Sequence, residues 1–420
     1  MVFENFSDAN ATLLWSTFAI ALVLGAAVNR TNFCTMGAVA DAATFGDWGR
    51  MRAWLLAIAV ALIGVAVLEP LGLAAPGTAF PPYRSGQLLW AENLLGGFMF
   101  GVGMTLASGC GNRCLVRIGG GNLKSVVVLL VIAVIAYFMV RPFPGSDQTL
   151  YSLLFYGWMR PLAVDLGPAQ DLGTLVAGGA GAPPARLIIA GVLGTGILWF
   201  VFRSAEFRAS ANNVAGGLAV GLAVLAAWYV TSNITVVADG ESYPLVGFAA
   251  DWDFLSETEE GRPADVMALS PQSFTFINPM GQTLRLAAAG FDPTYLTFGV
   301  MALGGVIAGS LLWSVATRSF RLEWFADRAD FANHVIGAVL MGLGGVLAMG
   351  CTIGQGVTGL STLAAGSFIA LAAIVFGAAL TMKVRYYRIV DEPQAGWAAA
   401  LINALVDLRL LPGAARRSGS

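Results

Sequence analysis

Apolar residues run along this chain in nine long blocks, near 11–28, 53–73, 88–109, 124–141, 185–203, 212–230, 294–317, 334–350 and 367–383. Each has the length that a helix needs to cross a hydrocarbon core ~30 Å thick, about 17–25 residues. Four other apolar stretches, 31–46, 110–123, 272–286 and 351–366, are too short or too broken by glycine to cross. They read as re-entrant half-helices, whose backbone is tolerated at membrane depth only where protein or a water-filled cavity covers it. Residues 149–158 and 396–408 read as amphipathic helices at a surface. The pattern predicts an all-α polytopic membrane protein of about nine transmembrane helices and four half-helices.

Composition agrees. Apolar residues make up 57% of the chain and charged residues 11%, against ~25% charged in ordinary soluble domains. Between Asp330 and Lys383 there is no Asp, Glu, Lys or Arg, and as helix that stretch would reach roughly 78 Å, enough for two crossings. A soluble fold is excluded on this basis, and a net charge of −2 points to no nucleic-acid partner. The start, Met-Val-Phe-Glu-Asn-Phe-Ser-Asp, lacks the basic segment of a cleavable signal peptide, so the first helix is expected to stay in the bilayer as an anchor. With the N-terminus outside, the inner side collects 17 of the 23 basic residues, among them Arg30, Arg113, Arg117, Lys124 and Arg321. Basic residues favour the cytoplasmic side. The chain is therefore expected with its N-terminus outside and its C-terminus in the cytoplasm.

A glycine-rich block ending in cysteine occurs twice. Gly96-Gly-Phe-Met-Phe-Gly-Val-Gly-Met-Thr-Leu-Ala-Ser-Gly-Cys110 matches Gly337-Ala-Val-Leu-Met-Gly-Leu-Gly-Gly-Val-Leu-Ala-Met-Gly-Cys351 at seven of fifteen positions, 241 residues apart. The same offset carries 53–73 onto 294–314 and 31–46 onto 272–287, so that Phe33 falls on Phe274. Segment 11–28 pairs with 212–230. An odd number of crossings separates the two starts, so the halves have opposite topology, the inverted repeat of many transporters, which hold substrate near the bilayer midplane. This organisation gives a first repeat at 1–141, an outer loop and connecting helix at 142–211, a second repeat at 212–383 with an insertion at 231–270, and a cytoplasmic tail at 384–420. The four half-helix tips should meet at a narrow waist, giving an hourglass.

The chemistry concentrates at those tips. Ser108-Gly-Cys-Gly-Asn-Arg and Met349-Gly-Cys-Thr-Ile-Gly-Gln-Gly begin half-helices with small residues. A helix N-terminus offers unsatisfied N–H donors and about half a positive charge, so it holds an anion without lysine or arginine. Gly109, Gly111, Gly350 and Gly354 let backbone and substrate approach closely, and Thr352 opens the second half-helix. Cys34, Cys110 and Cys351 each lie on a half-helix or its break. A neutral thiol is soft and a weak donor. It would hold a soft sulfur anion loosely, and conduction needs binding weak enough to release. Cys114 lies one helical turn beyond Cys110, and Gln355 holds its place in the second copy. Metal ligation is the rival reading of the thiols, and a redox role is another, although a membrane interior disfavours thiolate. Glu92 with Asn93 and their partners Asn333 and His334 mark helix ends; Asp41 and Glu69 show no partner in the sequence. Three classes remain open: a transporter, a thiol-dependent membrane oxidoreductase or metal-binding protein, and a membrane scaffold for a cytosolic sulfurtransferase.

Asn32-Phe-Cys-Thr-Met-Gly-Ala, Gly109-Cys-Gly-Asn-Arg-Cys-Leu-Val-Arg, Ser273-Phe-Thr-Phe-Ile-Asn-Pro and Gly350-Cys-Thr-Ile-Gly-Gln-Gly-Val-Thr-Gly resemble the blocks of the YeeE/YedE sulfur-transport family. The likeness runs from about residue 15 to 385. It implies a thiosulfate importer of a bacterial inner membrane, with a periplasmic N-terminus, not an enzyme, that passes the ion along thiols by S–H to sulfur hydrogen bonds. At the matching positions that relay would be Cys351, Cys110 and Cys34. The resemblance implies no cofactor and a small cytosolic sulfur carrier of the TusA type as partner. Cys114 and the 231–270 insertion depart from the simplest family pattern, and the insertion is placed to cap the outer mouth.

Overall fold

The computed structural model describes residues 1–256, 260–388, 396–413 and 416. Among these, nine helices are long and apolar enough to cross a membrane. They are α1 (Phe6–Thr31), α3 (Gly49–Leu68), α4 (Trp90–Leu106), α6 (Leu123–Val140), α7 (Leu172–Phe202), α8 (Ala211–Ser232), α10 (Phe298–Ala316), α11 (Arg328–Leu347) and α13 (Ala365–Tyr386). Among the shorter helices between them, four build the site: α2 (Thr35–Ala40), α5 (Gly111–Gly119), α9 (Ile277–Ala288) and α12 over 352–361, whose middle, Gly354–Gly359, is wound wider than an α-helix. The protein is an all-α, multi-pass membrane protein. Strand is confined to short ribbons, including one in which Val2–Phe3 pairs with Thr235–Ala238.

The two-fold relation is written in glycines. A Cβ on Gly96 would stand 2.7 Å from the Gly344 carbonyl oxygen, and one on Gly344 would stand 2.5 Å from that of Gly96. The same holds for Gly103 and Gly337, each 2.6 Å from the other's carbonyl. Under the repeat offset Gly96 becomes Gly337 and Gly103 becomes Gly344, so the contact maps onto itself with its partners exchanged. As the number rises along α4 it falls along α11, so the helices cross antiparallel and the axis lies across them. That is an inverted repeat with a self-complementary interface. Tails of lipid are as apolar as leucine, so helices in a bilayer associate through close packing, and small residues at the crossing make it possible. Gly101 against Ile374 (2.2 Å) and Gly377 against Phe98 (2.5 Å) extend the seam between α4 and α13.

Several boundaries differ from those read in the sequence. The half-helix expected over 272–286 begins at Ile277, after buried, non-helical residues 272–276. Pro279 explains this, because proline is accommodated in the first turn of a helix, where its missing N–H is not needed. The crossing expected over 185–203 begins at Leu172. The Asp171 side chain accepts the Thr174 N–H (3.0 Å) as an N-cap, and a break at Gly178 (φ 70°, ψ 178°) absorbs the change of direction just ahead of Pro183 and Pro184. The helix expected at 396–408 is Trp397–Asp407, and the stretch 149–158 forms a wide turn at Ser152–Tyr156 with Leu153, Leu154, Tyr156 and Trp158 exposed. Residues 257–259 of the insertion, and 389–395, 414–415 and 417–420 of the tail, lie outside the described residues. The rest of the insertion packs Ile234, Phe248 and Trp252 against Phe6, Ala9 and Leu13 at the start of α1.

Candidate permeation site: a thiol-lined constriction

Each cysteine block breaks its helix the same way. Ser108 and Met349 both adopt left-handed backbone, φ 58° and 56°. Beyond them the Gly109 N–H donates to the Met104 carbonyl (2.8 Å) and the Gly350 N–H to that of Gly345 (2.8 Å). These are the six-to-one bonds of a Schellman ending, which satisfies carbonyls that a helix end leaves open. The chain then turns back, and α5 and α12 start from Cys110 and Cys351.

The four tips converge. A Cβ on Gly111 would meet Ile277 at 3.1 Å, and one on Gly354 would meet the Thr275 hydroxyl at 2.4 Å, so α5 and α12 both touch the start of α9. The Cys110 thiol lies within electrostatic reach of Cys34 and of Cys351, and beside the Thr352 hydroxyl. The Cys351 sulfur accepts the Gly354 N–H (3.4 Å), and the Thr275 hydroxyl and the Phe276 N–H also face it. The Cys34 sulfur accepts the Gly37 N–H (3.4 Å) and caps α2. All four cysteines are buried and free. Cys114 sits one turn along α5 with its S–H directed at the Gly109 carbonyl (4.0 Å). Gln355 is turned into its own repeat, where its amide donates to the Ala348 carbonyl. Thus Cys34, Cys110, Cys351 and Thr352 come together, with Cys114 also within electrostatic reach of Cys34; Gly109 and Gly350 shape the breaks, Gly111 and Gly354 form the contact between tips, and Gln355 stands aside from the sulfur cluster. Among the described residues no three His, Cys, Asp or Glu side chains converge as a metal-binding group.

A cavity opens on each side of this cluster. One, of about 740 Å³, is lined by Arg30, Arg113, Arg117, Lys124 and Arg321 with Ser108 among its walls. The other, of about 480 Å³, is lined by Ser85, Gln87, Arg160 and Asp165 with Met349 among its walls. Ser108 and Met349 are partners under the repeat, so the two cavities reach equivalent points from opposite ends. That is the hourglass.

Sequence reading missed several residues here. Thr275 is the partner of Cys34 under the 241-residue offset, one step past the matched pair Phe33 and Phe274, so the repeat carried the signal. Tyr83, in the loop between α3 and α4, is buried within reach of Cys351, and its sequence surroundings carry no such signal. Asp41 and Glu69, partnerless in the sequence, are ion-paired. Arg50 binds Asp41 through Nη2 at 2.7 Å. Arg84 and Arg186 both bind Glu69, at 2.6 and 3.0 Å, Arg186 also binds Asp171 at 2.7 Å, and Arg84 Nε donates to the Thr362 carbonyl at 2.8 Å. Distance along the chain hides such pairs. Glu92 accepts the Tyr151 hydroxyl (2.6 Å) and His334 stays with Asp330, so neither reaches the cysteines.

Comparison with known proteins agrees with this geometry. A family model described as sulphur transport matches residues 30–380. The thiosulfate transporter TsuA of Escherichia coli (strain K12) is 25% identical over 405 residues, covering 93% of this chain and 99% of that protein. The thiosulfate transporter TsuA of Spirochaeta thermophila is 24% identical over 375 residues, covering 87% and 97%. With the match spanning both repeats and all four cysteines, the chain belongs to the sulphur transport family.

Proposed function

We propose that this protein carries thiosulfate inward across a bacterial inner membrane, with Cys351, Cys110 and Cys34 as successive weak holding points. The observation that carries this reading is the position of the Cys110 thiol, within reach of both other thiols at the junction of the two repeats. The tips of α5 and α9 bring opposed helix N-termini to the same place, and these favour an anion where lysine and arginine would bind it too tightly to release. A thiol donates weakly to the terminal sulfur, so each site gives the ion up to the next. Both relatives are named thiosulfate transporters, which supports the choice of ion.

The cavity with Arg30, Arg113, Arg117, Lys124 and Arg321 is assigned to the cytoplasmic side, in keeping with the bias of basic residues. There it draws the ion out of the waist toward a cytosolic TusA-like sulfur carrier, whose consumption of the ion maintains the gradient. The test is growth on thiosulfate as sole sulfur source in cells lacking other importers. Cys110→Ala and Cys351→Ala should each abolish growth while membrane levels of the protein stay normal. Growth at the wild-type rate with both variants would exclude the relay.

A further inference from the structure

Four positions related by the repeat surround the waist: Cys34 with its partner Thr275, and Cys110 with its partner Cys351. Three carry sulfur and one carries oxygen. Two more hydroxyls stand on the same side. Thr352 begins α12 beside Cys110, and Tyr83 lies within electrostatic reach of Cys351. Tyr83, Thr275 and Thr352 are 2%, 7% and 0% exposed, and none of the three hydroxyls has a hydrogen-bond partner. Thr275 and Thr352 have only the sulfurs of Cys351 and Cys110 beside them, and sulfur is a poor acceptor.

Burying a hydroxyl without a partner is unfavourable, and native folds seldom keep several such groups side by side. The first repeat does not repeat the set. The offset carries Tyr83 onto Trp324, Thr275 onto Cys34 and Thr352 onto Gly111. The hydroxyls are therefore a property of the Cys351 side alone. A thiol recognises a soft sulfur, whereas a hydroxyl is a directional donor to hard oxygen. Hydrogen bonds to a charged acceptor are the stronger kind.

We infer that Tyr83, Thr275 and Thr352 form an oxyanion subsite beside Cys351, which takes the oxygens of a tetrahedral sulfur oxyanion while the thiols take its terminal sulfur. The subsite orients the ion, oxygens toward Cys351's surroundings and sulfur toward Cys110. It also selects an ion with both ends, because an anion without oxygens leaves the hydroxyls bare. This inference rests on the permeation reading and adds a specificity determinant to it.

The experiment is uptake of labelled thiosulfate into proteoliposomes holding the full chain, with melting temperatures measured on the same preparations. Tyr83→Phe and Thr275→Val should each raise KM about tenfold or more, the size expected for losing a hydrogen bond to a charged group. Thr275→Ser, which keeps the hydroxyl, should stay near wild type. Without thiosulfate the melting temperatures of Tyr83→Phe and Thr275→Val should be unchanged or higher, since an unpartnered buried hydroxyl has been removed; a structural hydroxyl would lower them. The upward shift that thiosulfate gives the wild type should shrink in both. If Tyr83→Phe fails to fold, the Thr275 pair carries the test. Wild-type uptake with both variants inside twofold of its KM, or Thr275→Ser as impaired as Thr275→Val, overturns the subsite and leaves the permeation reading standing. No uptake by the wild type overturns the permeation reading, and the subsite with it.

Discussion

Cys110 and Cys351 occupy the same place in the two repeats, with the same left-handed residue before them and the same six-to-one bond, yet their sulfurs are held differently. Cys351 is committed to its own half-helix through the Gly354 N–H and enclosed by Thr275 and Phe276. Cys110 begins α5 with extended backbone (φ −77°, ψ 172°) and makes no side-chain cap. Cys34 again caps its own helix. The backbone is symmetric and the sulfur chemistry is not. Inverted repeats bring four tips to one point, and divergence of a few side chains then changes how each sulfur is held: Cys110 makes no cap and has the Thr352 hydroxyl and the Arg113 N–H beside it.

Breaking the shared part should have the largest effect. Gly103→Leu and Gly344→Leu each drive a side chain into the facing backbone of the α4–α11 crossing, at 2.6 and 2.5 Å for Cβ alone. Strain of this kind has no flexible neighbour to absorb it. Both variants should lose most of the folded protein in detergent, by size-exclusion profile, and to a similar degree. A large loss for one and wild-type behaviour for the other would contradict the two-fold crossing.

A smaller effect should separate the two breaks. The turn after α12 is latched from α7, where the Leu172 N–H donates to the Leu363 carbonyl (3.0 Å) and Asp171 binds Arg186. Burial would raise the Asp171 carboxyl, but hydrogen bonds from Arg186 and Thr174 outweigh it and hold the group at about 2. A depressed carboxyl contributes stability that is fully present above its unfolded value near 3.9 and is lost as pH falls through its folded value. The contribution is on the order of 2 kcal/mol. The melting temperature should therefore fall between pH 4 and pH 2. Asp171→Asn should start lower at pH 7 and show a flatter decline over that window. An identical acid profile for wild type and variant would remove Asp171 from the latch.

The smallest effect should fall equally on both breaks. Ser108 and Met349 hold left-handed backbone with a Cβ, which costs roughly 1 kcal/mol relative to glycine, partly offset by the greater freedom of glycine in the unfolded chain. Ser108→Gly and Met349→Gly should each raise the melting temperature by a degree or so. A clear drop in either would mean that the side chain, and not the backbone, is what the break requires.

Most of the fold was legible because apolar runs and their glycine breaks are local signals, and the 241-residue repeat supplied the topology. The positions of Cys110 and Cys351 at two matched helix breaks were legible because the repeat aligns them. What stayed hidden was contact between distant segments. Glu69 meets Arg186 and Arg84 meets Thr362 across 117 and 278 positions, and no periodicity reports on that. Thr275 shows the intermediate case, since the offset that aligned Phe33 with Phe274 also reaches it, but a threonine draws attention only once its unpartnered hydroxyl is seen.

The central claim is that the ion crosses by way of the middle thiol, Cys110. Initial rates of labelled thiosulfate uptake into proteoliposomes containing only this chain, wild type beside Cys110→Ala, test it most directly. Robust uptake by the wild type and a rate at the empty-liposome background for Cys110→Ala is the predicted result. Equal rates for the two proteins would contradict it.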